Sequence, residues 1–172
     1  KNEMTVKRLY CNGKIVEVTG NGYYSTGEFI FENKQIPSEE IRLLLTAGIL
    51  NNDSHLEMKN GFVTVIGDPT EGCLLVAAKK LGLQQQSLVQ EYKRINEIGF
   101  DSTRKMMTTI HAIGKKKIAF IKGAPDVLLD LCTHIKHNDI IKPLKASEKQ
   151  KIIETNKLLA KDAMRVLAFA YK

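Results

Sequence analysis

Tryptophan is absent from this chain, and tyrosine and phenylalanine together make up only 6% of its 172 residues. An exposed aromatic ring is therefore more informative here than in an ordinary domain. Cysteine is almost as scarce: Cys11, Cys73 and Cys132 are odd in number, far apart and free of any Cys-x-x-Cys pair. That spacing argues against a disulfide framework or a zinc site and fits a reducing compartment. No apolar run is long enough to span a bilayer, and the first residues carry no signal-peptide pattern. No Gly-x-Gly-x-x-Gly follows a strand and no Gly-x-x-x-x-Gly-Lys occurs, so the two common nucleotide-binding motifs are missing. Internal repeats, low-complexity tracts and linkers are missing as well, which predicts one domain over residues 1–172. The chain begins at Lys1-Asn2-Glu3-Met4 without an initiator methionine and stops inside a strand-like run, so the expectation is a piece cut from something larger.

The composition otherwise fits a soluble globular domain, with 43% hydrophobic and 26% charged residues. Lys and Arg number 26 against 19 Asp and Glu, a formal charge of +7. Such an excess favours a polyanionic partner: a nucleotide, a nucleic acid or an anionic surface. Only Lys115-Lys116-Lys117 is contiguous, and it reads as a hairpin tip. His134 and His137 are spaced as two ligands on a helix would be, but Asn138-Asp139 beside them reads as a turn between short strands. No metal site is expected there.

Two segments, 5–10 and 14–18, look like strands joined at Asn12-Gly13, a pair suited to a type I′ turn. A short strand over 28–31 comes next. Pro37-Ser38-Glu39-Glu40 predicts a helix with Ser38 as N-cap, closing at Asn51-Asn52-Asp53-Ser54. Ile41, Leu44, Leu45 and Gly48 form its core face. After a strand over 62–66, Gly67-Asp68-Pro69-Thr70-Glu71 opens a second helix: Asp68 caps, Pro69 takes the first position and Glu71 completes a capping box. Gly82 ends it. Ser87 and Gln90 predict a further box, and Ser147 with Gln150 another, the latter opening a long helix to about residue 163. Strands are expected around 96–100, 105–113 and 117–122, and the apolar run 166–171 reads as a strand central in the sheet. The pattern is α+β, a mainly antiparallel sheet flanked by helices.

The stretch Ile118-Ala119-Phe120-Ile121-Lys122-Gly123-Ala124-Pro125 organises the rest. An apolar strand ends in a lone lysine, and Pro125 suits the first position of the next helix, which carries Leu128, Leu131 and Cys132. Gly123 lets the backbone pass close to something or take positive φ. Two readings of Lys122 stand: a solvated side chain, or an ammonium pointing into a cleft.

Lys122-Gly123-Ala124-Pro125-Asp126 resembles the Lys-Gly-Ala-Pro-Glu signature of P-type ion-transporting ATPases, with Asp126 in place of the usual Glu. Asp68-Pro69-Thr70-Glu71 is similar to that family's Asp-Pro-Thr-Glu element. Phe100-Asp101-Ser102-Thr103-Arg104-Lys105-Met106-Met107 resembles its Phe-x-Ser-x-x-Lys-x-Met segment. Met164-Arg165-Val166-Leu167-Ala168 resembles its Leu-Arg-x-Leu-Ala ending. Lys1-Asn2-Glu3-Met4-Thr5 resembles the segment just after its phosphorylated loop. The five elements come in family order over nearly the whole chain.

The resemblance implies a nucleotide-binding domain with a twisted antiparallel sheet and flanking helices, inserted in the phosphorylation domain of a membrane pump. It implies that Phe100 stacks on adenine, Lys122 lines the base pocket and Gly123 admits the nucleotide close to the backbone. Glu71 would accept from the adenine amino group, and Lys105 and Arg165 would meet the phosphates. Ser102 belongs to the same ATP-binding set, standing where some calcium pumps carry arginine. The implied cofactor is ATP, as Mg-ATP in the full pump. The implied partners are the phosphorylation and actuator domains of the same chain, in the cytoplasmic part of an integral plasma-membrane protein. Neither Asp-Lys-Thr-Gly-Thr nor Gly-Asp-Gly-x-Asn-Asp occurs in the sequence, so no catalytic residue is expected here. The motif flavour leans towards calcium-type pumps. The competing reading is a basic nucleic-acid-binding module, which would want a continuous basic stripe with interleaved aromatics. A protein-interaction domain is the third.

Overall fold

In the first hairpin, Asn12 and Gly13 take φ of 53° and 73°, the backbone that a type I′ turn demands. They join β1 (Arg8–Cys11) to β2 (Lys14–Val18), with Leu9 opposite Val16. Asn60 and Gly61 do the same, at 52° and 79°, between β5 (His55–Lys59) and β6 (Phe62–Ile66). The computed structural model describes residues 3–172. Of the stretch 1–5 that resembles the segment after a phosphorylated loop, Lys1 and Asn2 lie outside the described residues. The chain divides into two compact units, one up to Lys93 and one from Arg94 onward.

In the first unit, β1 and β2 extend through β3 (Phe29–Phe31) and β4 (Lys34–Gln35) into a four-stranded antiparallel sheet. Helix α1 (Glu39–Leu50) buries every residue from Leu45 to its end, as well as Ile41. Lys14 pairs with Glu40 at 2.8 Å, and the Cys11 thiol donates to the Glu40 carbonyl at 3.1 Å, tying hairpin to helix. Helix α2 (Pro69–Lys80) comes after β6 and buries Cys73, Leu75, Val76, Ala77 and Ala78. The short α3 (Gln85–Glu91) buries Leu88.

The second unit is built on a four-stranded sheet in the order β12 (Ala168–Tyr171), β9 (Lys116–Gly123), β8 (Met106–Ile113), β7 (Lys93–Asp101). Its β8–β9 and β9–β12 pairings are antiparallel. Helix α4 (Pro125–Leu131) buries Leu128 and Leu129, and α5 (Ala146–Lys161) buries Leu159. A hairpin of β10 (His134–His137) and β11 (Ile140–Pro143) lies between them in sequence.

The α+β class with antiparallel pairing is as the sequence indicates, divided here among two four-stranded and two two-stranded sheets. Several local expectations are revised. Ser38 is itself in the right-handed helical region and makes no side-chain cap. Ser87 lies inside α3, which starts two residues earlier, and Ser147 lies inside α5, where the Glu148 carboxylate accepts from the Lys145 N–H at 3.5 Å instead. Of the apolar residues of α4, Leu128 and Leu129 are buried and Leu131 is 64% exposed. The closing apolar strand is an edge strand, because among the described residues it pairs with β9 alone.

Candidate functional site

The sheet of the second unit brings most of the candidate residues to one end. Phe100 is the next-to-last residue of β7, and a tight turn leads from Asp101 into β8 at Met106. Met106 lies opposite Gly123 at the end of β9, and Gly123 in turn lies opposite Ala168, the first residue of β12. Arg165 is exposed in the segment three residues before that strand. Phe100, Ser102, Lys105, Lys122 and Gly123 thus gather at one end, with the segment of Arg165 leading into it. Lys115, Lys116 and Lys117 occupy the opposite end, at the β8–β9 turn.

Phe100 is 68% exposed, so it is not a core aromatic. A ring standing in water at a strand end presents a face on which a flat heterocycle can stack. Lys122 behaves otherwise. Only 8% exposed, it lies directly opposite Met107 of β8 and Phe169 of β12. Its alkyl stem is thereby sheathed by two apolar side chains on the same sheet face. The solvated reading of Lys122 is set aside. Position 122 shares its face with buried Phe120 and, on β8, buried Thr109 and His111. The His111 ring meets Phe120 edge-on at 5.8 Å between centroids, and its Nε2 shares a 2.9 Å hydrogen bond with the Thr109 hydroxyl.

The turn between Phe100 and Lys105 is organised by Asp101, a residue absent from the candidates that the sequence offers. Its Oδ1 accepts from the N–H groups of Thr103 and Arg104, both at 2.8 Å. Its carbonyl accepts from the Lys105 N–H at 2.6 Å. Lys105 takes a left-handed φ of 55°, and its own carbonyl accepts from Ala124 N–H at 3.1 Å. A Cβ on Gly123 would sit 2.6 Å from that same carbonyl oxygen and 2.8 Å from Met106 Cβ. The close approach that Gly123 permits is therefore made by the chain itself, without positive φ. Ser102 is exposed in this turn.

The Arg104 N–H, followed by the Thr103 N–H, holds the Asp101 carboxyl below the usual aspartate range. A depressed folded pKa means the turn contributes its stability above the unfolded value and loses it as pH falls through the folded one. A carboxyl-detected NMR titration should find Asp101 still ionised at a pH where an unperturbed aspartate is half protonated.

Glu71 belongs to the first unit. Asp68 caps α2 as expected, accepting from Thr70 N–H at 2.7 Å and Glu71 N–H at 3.4 Å. The Glu71 carboxylate is engaged from the loop after α1: Asp53 N–H donates to Oε2 at 3.0 Å, and the Ser54 hydroxyl approaches it at 3.5 Å. Asn52, buried, donates to the carbonyls of Gly48 and Glu71, each at 2.9 Å, while its own Oδ1 accepts from Ser54 N–H at 2.9 Å. From sequence, Asn51-Asn52-Asp53-Ser54 reads only as a helix end. It is in fact a buried polar hub that fixes the start of α2.

Charge separates with the units. Up to Lys93 there are ten Lys and Arg against eleven Asp and Glu; from Arg94 onward, sixteen against eight. The basic excess belongs to the unit that carries Phe100, Lys105, Lys122 and Arg165, which suits an anionic ligand there. Among the described residues no group of three or more His, Cys, Asp or Glu could hold a metal ion. Among the same residues, no helix is long and apolar enough to cross a membrane.

The P-type ATPase cytoplasmic domain N family model matches residues 40–172. The whole chain is 36% identical over 176 residues to a calcium-transporting ATPase of Bacillus subtilis, covering 20% of that protein. Calcium-transporting ATPase 1 of Bacillus cereus is 36% identical over 172 residues, with all of this chain and 18% of that protein covered. The cation-transporting ATPase pma1 of Synechocystis is 36% identical over 185 residues, again covering all of this chain and 20% of that protein. The chain thus spans about a fifth of the length of these relatives.

Proposed function

Because this chain belongs to the family of P-type ATPase cytoplasmic N domains, we propose that residues 1–172 act as one nucleotide-binding domain, which binds ATP and presents it to the phosphorylation domain of a cation-transporting pump. Phe100 stacks on the adenine, and Lys122 and Gly123 form the base pocket beside it. Lys105 and Arg165 meet the phosphates, Arg165 as a bidentate donor, with Ser102 on the exposed turn between them and the ring. Glu71 accepts from the adenine amino group, a role taken from the family resemblance. The ATP arrives as the magnesium complex and the metal is held elsewhere in the pump. Phosphoryl transfer needs an aspartate nucleophile, and the loop that carries it in this family is absent from the sequence. This piece holds ATP and does not split it. The partners are the phosphorylation and actuator domains of the same pump, on the cytoplasmic side of a plasma membrane. Calcium is the transported ion, in line with the names of the relatives.

The observation that carries the proposal is an exposed aromatic at the same sheet end as Lys105, Lys122 and Gly123, in a unit with twice as many basic as acidic residues. Calorimetric titration of the chain with ATP tests it. Phe100→Ala should weaken ATP by roughly 1–3 kcal/mol, the usual worth of one stacked base. The melting temperature should hardly move, since the ring is exposed and its loss leaves no cavity. Unchanged ATP affinity in this variant would sink the stacking assignment. A nucleic-acid module would instead bind oligonucleotides with an affinity falling steeply in salt.

A further inference from the structure

The five-residue turn from Asp101 to Lys105 carries two members of the proposed ATP site, Ser102 and Lys105, and directly succeeds another, Phe100. Its shape depends on a single side chain. Asp101 Oδ1 gathers the N–H groups of Thr103 and Arg104 at 2.8 Å each, which are donors that no strand or helix would otherwise satisfy. With those two amides fixed, the chain closes by the 2.6 Å bond from Lys105 N–H to the Asp101 carbonyl. Lys105 then adopts its left-handed conformation, φ 55°, which a non-glycine residue holds only when its surroundings impose it. Its carbonyl turns onto Ala124 N–H and into the space that a side chain at position 123 would fill. One carboxylate thus links the strand end bearing Phe100, the cation of Lys105 and the Lys122-Gly123-Ala124 segment.

We propose that Asp101 is a positioning residue for nucleotide binding, acting as the side-chain cap that sets the Asp101–Lys105 turn and through it the placement of Phe100 and Lys105; this rests on the ATP-binding reading above. The turn requires of position 101 an acceptor at Oδ1, and the negative charge is secondary. Asparagine presents the same acceptor and forms the same turn, serine does so more weakly, and alanine not at all.

The test is a series at one position, Asp101→Asn, Asp101→Ser and Asp101→Ala, each titrated calorimetrically with ATP, with chemical denaturation run in parallel. Wild-type chain that fails to bind ATP refutes the ATP-binding reading itself, whatever the variants do. Given wild-type binding, Asp101→Ala should weaken ATP by about tenfold, the order expected for two lost turn hydrogen bonds. Asp101→Asn should stay within about twofold of wild type because the acceptor remains, and Asp101→Ser should fall between. Should the alanine variant fail to fold, the asparagine-to-serine step still carries the ranking. A role in stability alone would change the denaturation midpoint and leave ATP affinity of the folded protein level across the series, which overturns the proposal. Asparagine as weak as alanine would overturn it too, since charge and not the turn would then be at work.

Discussion

Gly123→Ala should both destabilise the chain and abolish measurable ATP binding. The added Cβ meets Lys105 O at 2.6 Å, Met106 Cβ at 2.8 Å and Met106 Cα at 3.1 Å. Two of the three obstacles are main-chain atoms of the neighbouring strand and turn, so no rotamer change relieves the contact. Forcing one methyl into such a place typically costs about 1–3 kcal/mol. For a chain of this length that lowers the melting temperature by several degrees, about 2–4 °C per kcal/mol. The larger effect is local. Relief requires β8 to move away from β9 at the position where Met106 faces Gly123, which carries Lys105 with it and undoes its carbonyl's bond to Ala124. Differential scanning calorimetry with and without ATP reads both consequences. A variant that melts and binds as wild type would mean that the glycine has no such neighbour.

The second large effect is expected at Gly67→Ala, in the loop leading into α2. Gly67 has φ of 116°, a conformation costly for any residue with a side chain, by about 1–3 kcal/mol. Its Cβ would also lie 2.4 Å from Ser54 Oγ and 3.0 Å from Ser54 Cα. The Ser54 hydroxyl donates to the Asp68 carbonyl at 3.2 Å and approaches Glu71 Oε2 at 3.5 Å. Displacing Ser54 therefore disturbs the cap of α2 and the anchoring of Glu71 together. Strain and overpacking combine to about 2–6 kcal/mol, which denaturant titration would register as a large drop in midpoint with little change in slope. If Glu71 reads adenine as proposed, selectivity for ATP over GTP should fall in the same variant.

The features legible from sequence are those whose physics is local. Asn12-Gly13 and Asp68-Pro69 specify their backbone with two residues, and both appear where expected. Asn60-Gly61 carries the same hairpin chemistry but lacks a recognisable strand in front of it. That strand, His55–Lys59, is largely exposed, and its alternation rests on only two apolar residues, Leu56 and Met58, too few to mark it. Ser87 illustrates the opposite failure: the capping pattern is present, but α3 starts earlier, where the Gln85 side-chain amide donates to the Ser54 carbonyl at 2.9 Å. A contact 31 residues away in sequence cannot be read from a window. The run 166–171 is apolar throughout, yet hydrophobicity alone does not say how many neighbours a strand has. β12 has an alanine at alternate positions and one partner strand.

At the candidate site, Phe100 was identifiable as exposed from its place at a strand end, and the chain motifs picked out the residues around it. The burial of Lys122 was not legible, because it depends on Met107 and Phe169 on two other strands. The role of Asp101 was within reach of the sequence: Asp-Ser-Thr after a strand is turn chemistry, although the family motif marks only the flanking Phe100, Ser102 and Lys105. The hub around Asn52 was not, since its partners Gly48 and Glu71 lie on different helices.

The most direct measurement is a titration of the isotope-labelled chain with ATP, followed amide by amide by NMR. The account predicts one saturable transition in which Phe100, Lys105, Lys122, Gly123 and Arg165 shift together, with Glu71 moving in the same transition and Lys115–Lys117 at the far end of the sheet unaffected. Shifts confined to Lys115, Lys116 and Lys117, or no saturable shift at all, would contradict it.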